Sequence, residues 1–306
     1  MARPGRGLEG AVRIVEVGPR DGLQNERQAV PTVAKARFIR DLAAAGLRDI
    51  EATSFVNPKA IPQLADAGAL LAELGDLEGT RLSALVPNMR GLEGALAAGV
   101  EEVAVFTASS DAFNQANIRC DVEGSFLRLE PVITAAREAG LRVRGYVSTV
   151  FGCPYQGEVE PERARDAALR LLELGCYEVS LGDTIGVATP RQVRAALSEV
   201  LLPALGVERV AMHFHDTRGT ALANVCASLE LGVRAFDSSA GGLGGCPYAP
   251  GAAGNLATED LIYLLEGLGF ECGASLEGVA RASLALEASL DHPLPGRTVA
   301  TFRTRA

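Results

Sequence analysis

The chain has 306 residues, of which 48% are hydrophobic, and it carries a formal net charge of −9 at pH 7. This length and apolar content suit one large globular domain, whereas the negative charge argues against a broad basic surface for DNA or RNA. No apolar run approaches the roughly 20 residues of a membrane helix, and residues 1–10 lack the apolar core of a secretory signal. We therefore expect a cytoplasmic protein that binds neither nucleic acid nor membranes.

One repeated unit organises the chain: an amphipathic helix, then a Gly, then a β-branched run. The Gly falls where each helix would end, at the position that tolerates a left-handed backbone. Strands that alternate with helices in this way indicate βα units and a parallel sheet. The predicted strands, in chain order, are about 12–17, 49–53, 81–86, 101–107, 142–150, 177–183, 210–216 and 235–240. Eight such units in this length predict an α/β fold, a closed TIM barrel rather than an open doubly wound sheet.

No linker-like stretch separates the units, so we predict a single catalytic domain over residues 1–306. The barrel would occupy about 12–272, and a helical C-terminal extension would occupy about 273–306. A helix is predicted over 276–290, and a Pro-containing irregular end follows it.

The sharpest local signal is the pair His213 and His215, two of only three histidines in the chain. Residues i and i+2 of a strand point to the same side, so both imidazoles would face one way and could share a cation. Two neighbouring structural histidines are the plainer alternative. Because a TIM barrel places its chemistry at the carboxyl ends of its strands, the position of this pair favours a metal site.

Two oxygen ligands are available near these histidines. Asp21 ends the first strand, which neighbours the eighth in a closed barrel, and Asn255 follows the eighth strand. Taken alone, Asp21 would be read as a turn residue and Asn255 as a helix N-cap; only the assembly favours a metal. Two imidazoles, a carboxylate and an amide suit Mg²⁺ or Mn²⁺, with positions left for substrate oxygens, although zinc stays open on ligand type.

Further charged and reactive side chains fall at the same end of the predicted barrel. Arg20 would place a cation beside the metal, suited to an anionic oxygen, with a surface ion pair as the alternative. Glu51 and Asp183 could face the barrel mouth and hold Arg20 or relay protons, or simply form hydrogen bonds between strands. Cys246 lies in a glycine-dense segment, where a thiol could act as a proton donor or nucleophile.

Six segments carry a resemblance to a known family: residues 16–26, 53–56, 150–155, 182–186, 213–217 and 242–251. Together they resemble the 3-hydroxy-3-methylglutaryl-CoA lyase family over about residues 12–275. The glycine-rich cysteine segment is specific to that family. The His-x-His-Asp segment is shared with a wider superfamily of metal-dependent lyases and Claisen-condensing enzymes.

The resemblance implies a TIM barrel that cleaves hydroxymethylglutaryl-CoA to acetoacetate and acetyl-CoA by a retro-Claisen reaction, as in leucine degradation. It implies Mg²⁺ or Mn²⁺ as the cofactor and an acyl-CoA as the partner. The implied site comprises the metal ligands Asp21, His213, His215 and Asn255, the catalytic residues Arg20, Cys246, Glu51 and Asp183, and the substrate contacts Arg20, Gln24, Ser54 and Thr184. The base that removes the substrate's hydroxyl proton is left open between Asp21 and a histidine.

Other functions stay open alongside this one. They are a lyase for longer 3-hydroxy-3-alkylglutaryl-CoA substrates, a Claisen-condensing or aldolase enzyme of the same superfamily, and an inactive barrel kept as a scaffold. The cysteine segment favours the lyase, and an inactive barrel would be expected to have lost part of the ligand set. A homodimer is left open as well, because exposed apolar residues of the C-terminal helix would need to be covered by a second subunit. His292, in the tail, is expected to be an ordinary surface residue.

Overall fold

The computed structural model describes residues 10–244 and 254–303. Within these residues, eight parallel strands close into a barrel in chain order, and β1 pairs with both β2 and β8. The strands are β1 Arg13–Glu16, β2 Asp49–Ser54, β3 Arg81–Leu85, β4 Glu102–Ala108, β5 Arg142–Ser148, β6 Glu178–Asp183, β7 Val210–Phe214 and β8 Ala235–Ser238. Each overlaps its predicted range, so the predicted TIM barrel is confirmed.

Helices surround the barrel and extend beyond it. Among the described residues they are α1 Thr32–Ala44, α2 Ala67–Leu74, α3 Met89–Ala97, α4 Asp111–Ile118, α5 Val122–Glu138, α6 Pro161–Leu174, α7 Pro190–Ala195, α8 Leu202–Leu205, α9 Ala221–Glu230, α10 Thr258–Leu268, α11 Leu276–Glu287 and α12 Arg297–Ala300. A π-helical segment, Ala196–Leu201, joins α7 to α8, and a π-helical turn, Gly18–Gly22, follows β1 directly. That turn carries the first residues of the site. No helix among the described residues is long and apolar enough to cross a bilayer.

The strands are buried on both faces, as expected where helices cover a parallel sheet; every residue of β2 and of β6 is buried. The barrel interior nevertheless contains charge. Arg144 of β5 is buried there and donates to Glu178 at 2.8 Å and to Asp237 at 2.7 Å. A buried guanidinium is tolerated only when its donors are paired, so these contacts fix how β5, β6 and β8 face one another.

The C-terminal extension packs back on the barrel helices. The predicted helix over 276–290 is observed as α11, which ends slightly earlier and lies against α1. The main-chain N–H of Ser275 donates to the Ala45 carbonyl at 2.7 Å just before α11 begins. Asp260 of α10 accepts the N–H groups of Arg297 and Thr298 at 3.2 and 2.6 Å, and so caps the first turn of α12.

Gly46, which follows α1, should be hard to replace. Its φ is +100°, and a Cβ there would collide with the main-chain carbonyl of Gly273, just before α11. Gly99 also has a positive φ, +73°, but a Cβ there meets nothing within 4 Å. We expect Gly99→Ala to cost about 1–2 kcal/mol, the strain of a left-handed residue with a side chain. Gly46→Ala should lower the thermal midpoint clearly further, and equal midpoints in circular dichroism melts would contradict the proposed clash.

Candidate functional site

The carboxyl ends of β1 and β7 and the segment after β8 bring four polar side chains together. Potential ligand atoms of Asp21, His213 and His215 all lie within 4.8 Å of one another. Asn255 donates from Nδ2 to Oδ2 of Asp21 at 2.9 Å. The four residues that the sequence names as metal ligands therefore share one cluster.

Main-chain pairing explains how Asn255 reaches this cluster. Residues 254–256 lie beside the end of β7. The main-chain N–H of Asp216 donates to the Gly254 carbonyl at 2.7 Å, and the N–H of Leu256 donates to the Phe214 carbonyl at 3.0 Å. Asn255 is thereby held opposite His215 in an isolated β-bridge. It is not a helix cap, because α10 begins at Thr258 and has Ala257 at its N-cap position.

The two imidazoles lie on the same side of β7, as the alternation of a strand predicts, with ring centroids 5.3 Å apart. Nδ1 of His213 lies 3.3 Å from Oδ2 of Asp237, while its Nε2 lies 4.0 Å from Oδ2 of Asp21. Burial lowers the pKa of His213, but the hydrogen bond and charge of Asp237, together with the charge of Asp21, raise it overall. Burial and the neighbouring His213 together lower the pKa of His215 to about 3. His215 is therefore a neutral imidazole with a lone pair to offer.

Arg20 is buried between two carboxylates and is not part of a surface ion pair. It donates from Nη1 to Oδ1 of Asp21 at 2.6 Å and from Nε to Oε1 of Glu51. The second oxygen of Glu51 accepts from the Tyr146 hydroxyl at 2.8 Å. Burial alone would raise the pKa of Asp21, but the charge of Arg20 and the nearby histidines lower it to about 2. The site therefore holds a fixed cation beside an ionised carboxylate.

Asp183 and Thr184, at the end of β6, are engaged with the main chain of the surrounding loops. The two carboxylate oxygens of Asp183 accept the N–H groups of Val187 and Ala188 at 2.9 and 3.1 Å. Burial raises the pKa of Asp183 to about 6, despite these hydrogen bonds. Thr184 accepts the N–H of Thr149 at 2.8 Å. Thr149 is a β-branched residue with φ of +61°, a strained conformation of the kind found at functional loops.

Three further residues were predicted for the site: Ser54, Gln24 and Cys246. Ser54 is fully buried and donates to the Leu85 carbonyl at 3.1 Å. Gln24 is half-buried just beyond the turn that carries Asp21. Cys246 lies outside the described residues. The hydroxyl of Ser54 is thus already used within the barrel wall.

Sequence reasoning missed three side chains inside the barrel that support this site. Arg144 and Tyr146 lie on β5, Asp237 lies on β8, and all three are buried. Arg144 donates to the Tyr146 hydroxyl at 2.8 Å, and the same hydroxyl donates to Glu51. A charged residue in the middle of a buried strand is the signal that could have found Arg144 and Asp237.

Two buried polar atoms of the cluster residues are left without partners. Among the described residues, Oδ1 of Asn255 and Nδ1 of His215 are buried and have no hydrogen-bond partner. Buried polar atoms are almost always paired, and an exception calls for an explanation such as an ion. Two imidazoles, a carboxylate and an amide oxygen are a mixed N/O donor set that fits a divalent cation.

The family model described as HMGL-like matches residues 11–285. This chain belongs to the HMGL-like family. A hydroxymethylglutaryl-CoA lyase of Pseudomonas mevalonii is 54% identical over 92% of this chain and 93% of its own length. A Pseudomonas aeruginosa protein named 3-hydroxy-3-isohexenylglutaryl-CoA/hydroxy-methylglutaryl-CoA lyase is 52% identical over 89% of this chain and 90% of its own. The crystal structure of hydroxymethylglutaryl-CoA lyase from Pseudomonas aeruginosa superposes with a TM-score of 0.94 at 49% identity, covering 97% of this chain and 98% of that one.

The third histidine of this HMGL-like protein is more than an ordinary surface residue. Nε2 of His292 lies 2.8 Å from Oε2 of the buried Glu26, and its Nδ1 lies 3.0 Å from the Pro293 carbonyl. Asp291 lies in the same cluster. Hydrogen bonds to Glu26 and Pro293 raise the pKa of His292. The ion pair therefore ties the C-terminal tail to the segment that follows Asp21.

This ion pair should give a pH-dependent contribution to stability. Because the folded-state pKa of His292 is raised above its ordinary value of 6.5, its stabilisation is fully present below that value and is lost as pH rises through the folded-state pKa. Since the side chain is partly exposed, we expect His292→Gln to cost only about 0.2–1 kcal/mol near pH 6. The melting difference from wild type should shrink towards about pH 9.

The control is Arg281→Gln, which removes an exposed Arg281–Glu277 pair on α11. Its melting difference from wild type should stay flat over the same pH range. A pH-independent effect of His292→Gln would contradict the assigned ion pair.

Proposed function

We propose that this protein is a metal-dependent carbon–carbon lyase that cleaves 3-hydroxy-3-methylglutaryl-CoA to acetoacetate and acetyl-CoA. The observation that carries the proposal is the 54% identity, over 92% of the chain, to a relative of that name. The clustering of Asp21 with His213 and His215 supports it independently. The setting we propose is cytoplasmic leucine degradation, with an acyl-CoA as the partner and a homodimer as the assembly.

Four side chains would hold the metal: Asp21, His213, His215 and Asn255. The unpartnered Nδ1 of His215 and Oδ1 of Asn255 support this assignment, and a flip of the Asn255 amide would place its oxygen where Nδ2 now lies, beside Asp21. Mg²⁺ or Mn²⁺ is the proposed ion, because carboxylate, amide and imidazole donors leave positions for substrate oxygens. When bound, the ion would lower the pKa of the substrate's tertiary hydroxyl and orient its carboxylate.

The reaction then needs a proton acceptor, a stabiliser of developing charge and a proton donor. Asp21 or a histidine flanks the substrate hydroxyl and takes its proton. The carbon–carbon bond breaks to acetoacetate and the enolate of acetyl-CoA. Arg20, locked by Asp21 and Glu51, stabilises the enolate oxygen with a charge that needs no reorganisation. Cys246 donates the proton that converts the enolate carbon to the methyl group of acetyl-CoA.

The remaining site residues have supporting roles in this proposal. Glu51 orients Arg20, while Asp183 shapes the loop after β6 through its main-chain contacts. Thr184 and Ser54 support the substrate site indirectly, through the main chain that they hold. Gln24, half-buried just beyond the turn that carries Asp21, would contact the substrate through its amide.

Replacing either catalytic residue should impair chemistry without unfolding the barrel. We expect Arg20→Met and Cys246→Ser each to lower kcat by about 10²–10³, the typical loss when one charge-stabilising or proton-donating contact disappears. Cys226→Ser, on α9, is the matched control and should leave kcat unchanged. Thermal unfolding of each variant separates lost chemistry from lost fold. Near-wild-type kcat in Arg20→Met or Cys246→Ser would remove that residue from the mechanism.

Metal dependence and substrate choice can be tested together. Protein treated with EDTA should release acetoacetate from hydroxymethylglutaryl-CoA only after Mg²⁺ or Mn²⁺ is restored. His213→Ala should fail to respond to the metal, whereas His292→Ala should respond as wild type does. Full activity of His213→Ala after exhaustive chelation would exclude the proposed centre.

The name of the Pseudomonas aeruginosa relative favours a second substrate, so the isohexenyl analogue belongs in the same assay. Faster cleavage of that analogue would assign the longer substrate. Condensation of acetyl-CoA with a 2-oxoacid, without acetoacetate release, would overturn the lyase assignment.

A further inference from the structure

Asp237 of β8 is a buried carboxylate in direct contact with His213, and it is not among the site residues predicted from the sequence. Its Oδ1 accepts from Nη2 of Arg144 at 2.7 Å. Its Oδ2 accepts from the Ser180 hydroxyl at 2.6 Å and lies 3.3 Å from Nδ1 of His213. The residue is 1% exposed, so water does not compete for these contacts.

The chemistry of this contact defines the tautomer of His213. A carboxylate only accepts hydrogen bonds, so the facing Nδ1 must carry a hydrogen. A neutral imidazole protonated at Nδ1 has its lone pair at Nε2, and Nε2 of His213 is the nitrogen that faces Asp21, at 4.0 Å. We propose that Asp237 is a positioning residue that fixes the tautomer and the ring orientation of His213 for metal binding. This inference rests on the proposed metal site.

The carboxylate is itself held in place from two other strands. Arg144 on β5 and Ser180 on β6 each occupy one oxygen of Asp237, so the group cannot turn away from His213. Arg144 is fixed in turn by Glu178 at 2.8 Å. Side chains inside the barrel therefore set the orientation of the His213 imidazole, and the surface loops do not.

The other histidine of the pair has a different environment. Its Nδ1 is buried without a hydrogen-bond partner among the described residues, and it is the nitrogen that we assign to the ion. His213 is therefore the imidazole of the pair whose Nδ1 is restrained by a carboxylate before any ion arrives. A carboxylate or carbonyl behind a ligating histidine typically changes metal affinity by about 10–100-fold.

Asp237→Asn tests the proposal with Mn²⁺ alone as the probe. Arg144 would keep the amide oxygen on its own side, so the amide NH₂ would face Nδ1 of His213 and favour the opposite tautomer. We expect the Kd for Mn²⁺, measured by calorimetry or by electron paramagnetic resonance of the free ion, to rise about 10–100-fold. The matched control is Glu178→Gln, which neutralises the other buried carboxylate on Arg144, keeps an amide oxygen that can accept from Arg144 and hold it in place, and does not contact His213.

Glu178→Gln should leave the Mn²⁺ Kd within about threefold of wild type, even if both variants melt at lower temperature. Unchanged Mn²⁺ affinity in Asp237→Asn, or equal weakening in both variants, would overturn the positioning role while leaving the lyase assignment intact. If wild type itself binds no Mn²⁺, the metal site fails, and this inference fails with it.

If Asp237→Asn does not fold, the tautomer of His213 in the wild-type protein tests the proposal instead. The chain has three histidines, so ¹⁵N-labelled wild-type protein gives three imidazole spin systems, and His292→Gln and His213→Ala assign them. At alkaline pH we expect His213 to show the Nδ1–H tautomer, with or without Mg²⁺. The Nε2–H tautomer in wild type would overturn the proposal whatever the variants do.

Discussion

The guanidinium of Arg144 is the interaction on which the barrel interior depends. Its nitrogens donate to Glu178, Tyr146 and Asp237 from three different positions, at 2.8, 2.8 and 2.7 Å. Removing a guanidinium from water costs several kcal/mol, which only good geometry and complete pairing offset. The strands that supply these partners are therefore restricted to the register in which all three contacts form. A purely aliphatic interior would tolerate small shifts that this one does not.

Two chains of contacts lead from Arg144 to the site. One runs through Asp237 to the ring of His213, and the other runs through Tyr146 and Glu51 to Arg20. The proposed metal ligand and the proposed enolate stabiliser are thus oriented by the same buried group. Preorganised charge of this kind is what a reaction with a developing oxyanion requires. Burying the Arg144 guanidinium costs folding free energy, and the same buried charge orients His213 and Arg20 in the site.

The sequence predicts the barrel well because its signal is local. An amphipathic helix, a Gly and then a strand-like run recur before six of the eight strands, the other two strands are legible by themselves, and eight βα units leave few alternatives. The cluster of Asp21 and His213 follows from the same logic, since strand ends meet at one face of a barrel. The charge of Asp237 within a buried strand is visible in the sequence, but its partners and those of Tyr146 could not be predicted, because which interior side chains meet depends on the register between strands. No spacing along the chain encodes the contact between Asp237 and His213, which lie on neighbouring strands.

The described residues on either side of positions 245–253 meet beside the cluster of Asp21 and the two histidines. Asn255 donates to Asp21 at 2.9 Å and to the Leu243 carbonyl at 3.1 Å, and its own N–H donates to the Gly244 carbonyl at 3.3 Å. The two main-chain stretches that flank residues 245–253 are therefore fastened to each other beside the proposed metal ligands. Asn255 is therefore held from two sides, by the end of β7 and by the end of the segment that follows β8. Its amide is positioned by the main chain before any ion binds, as the imidazole of His213 is positioned by Asp237.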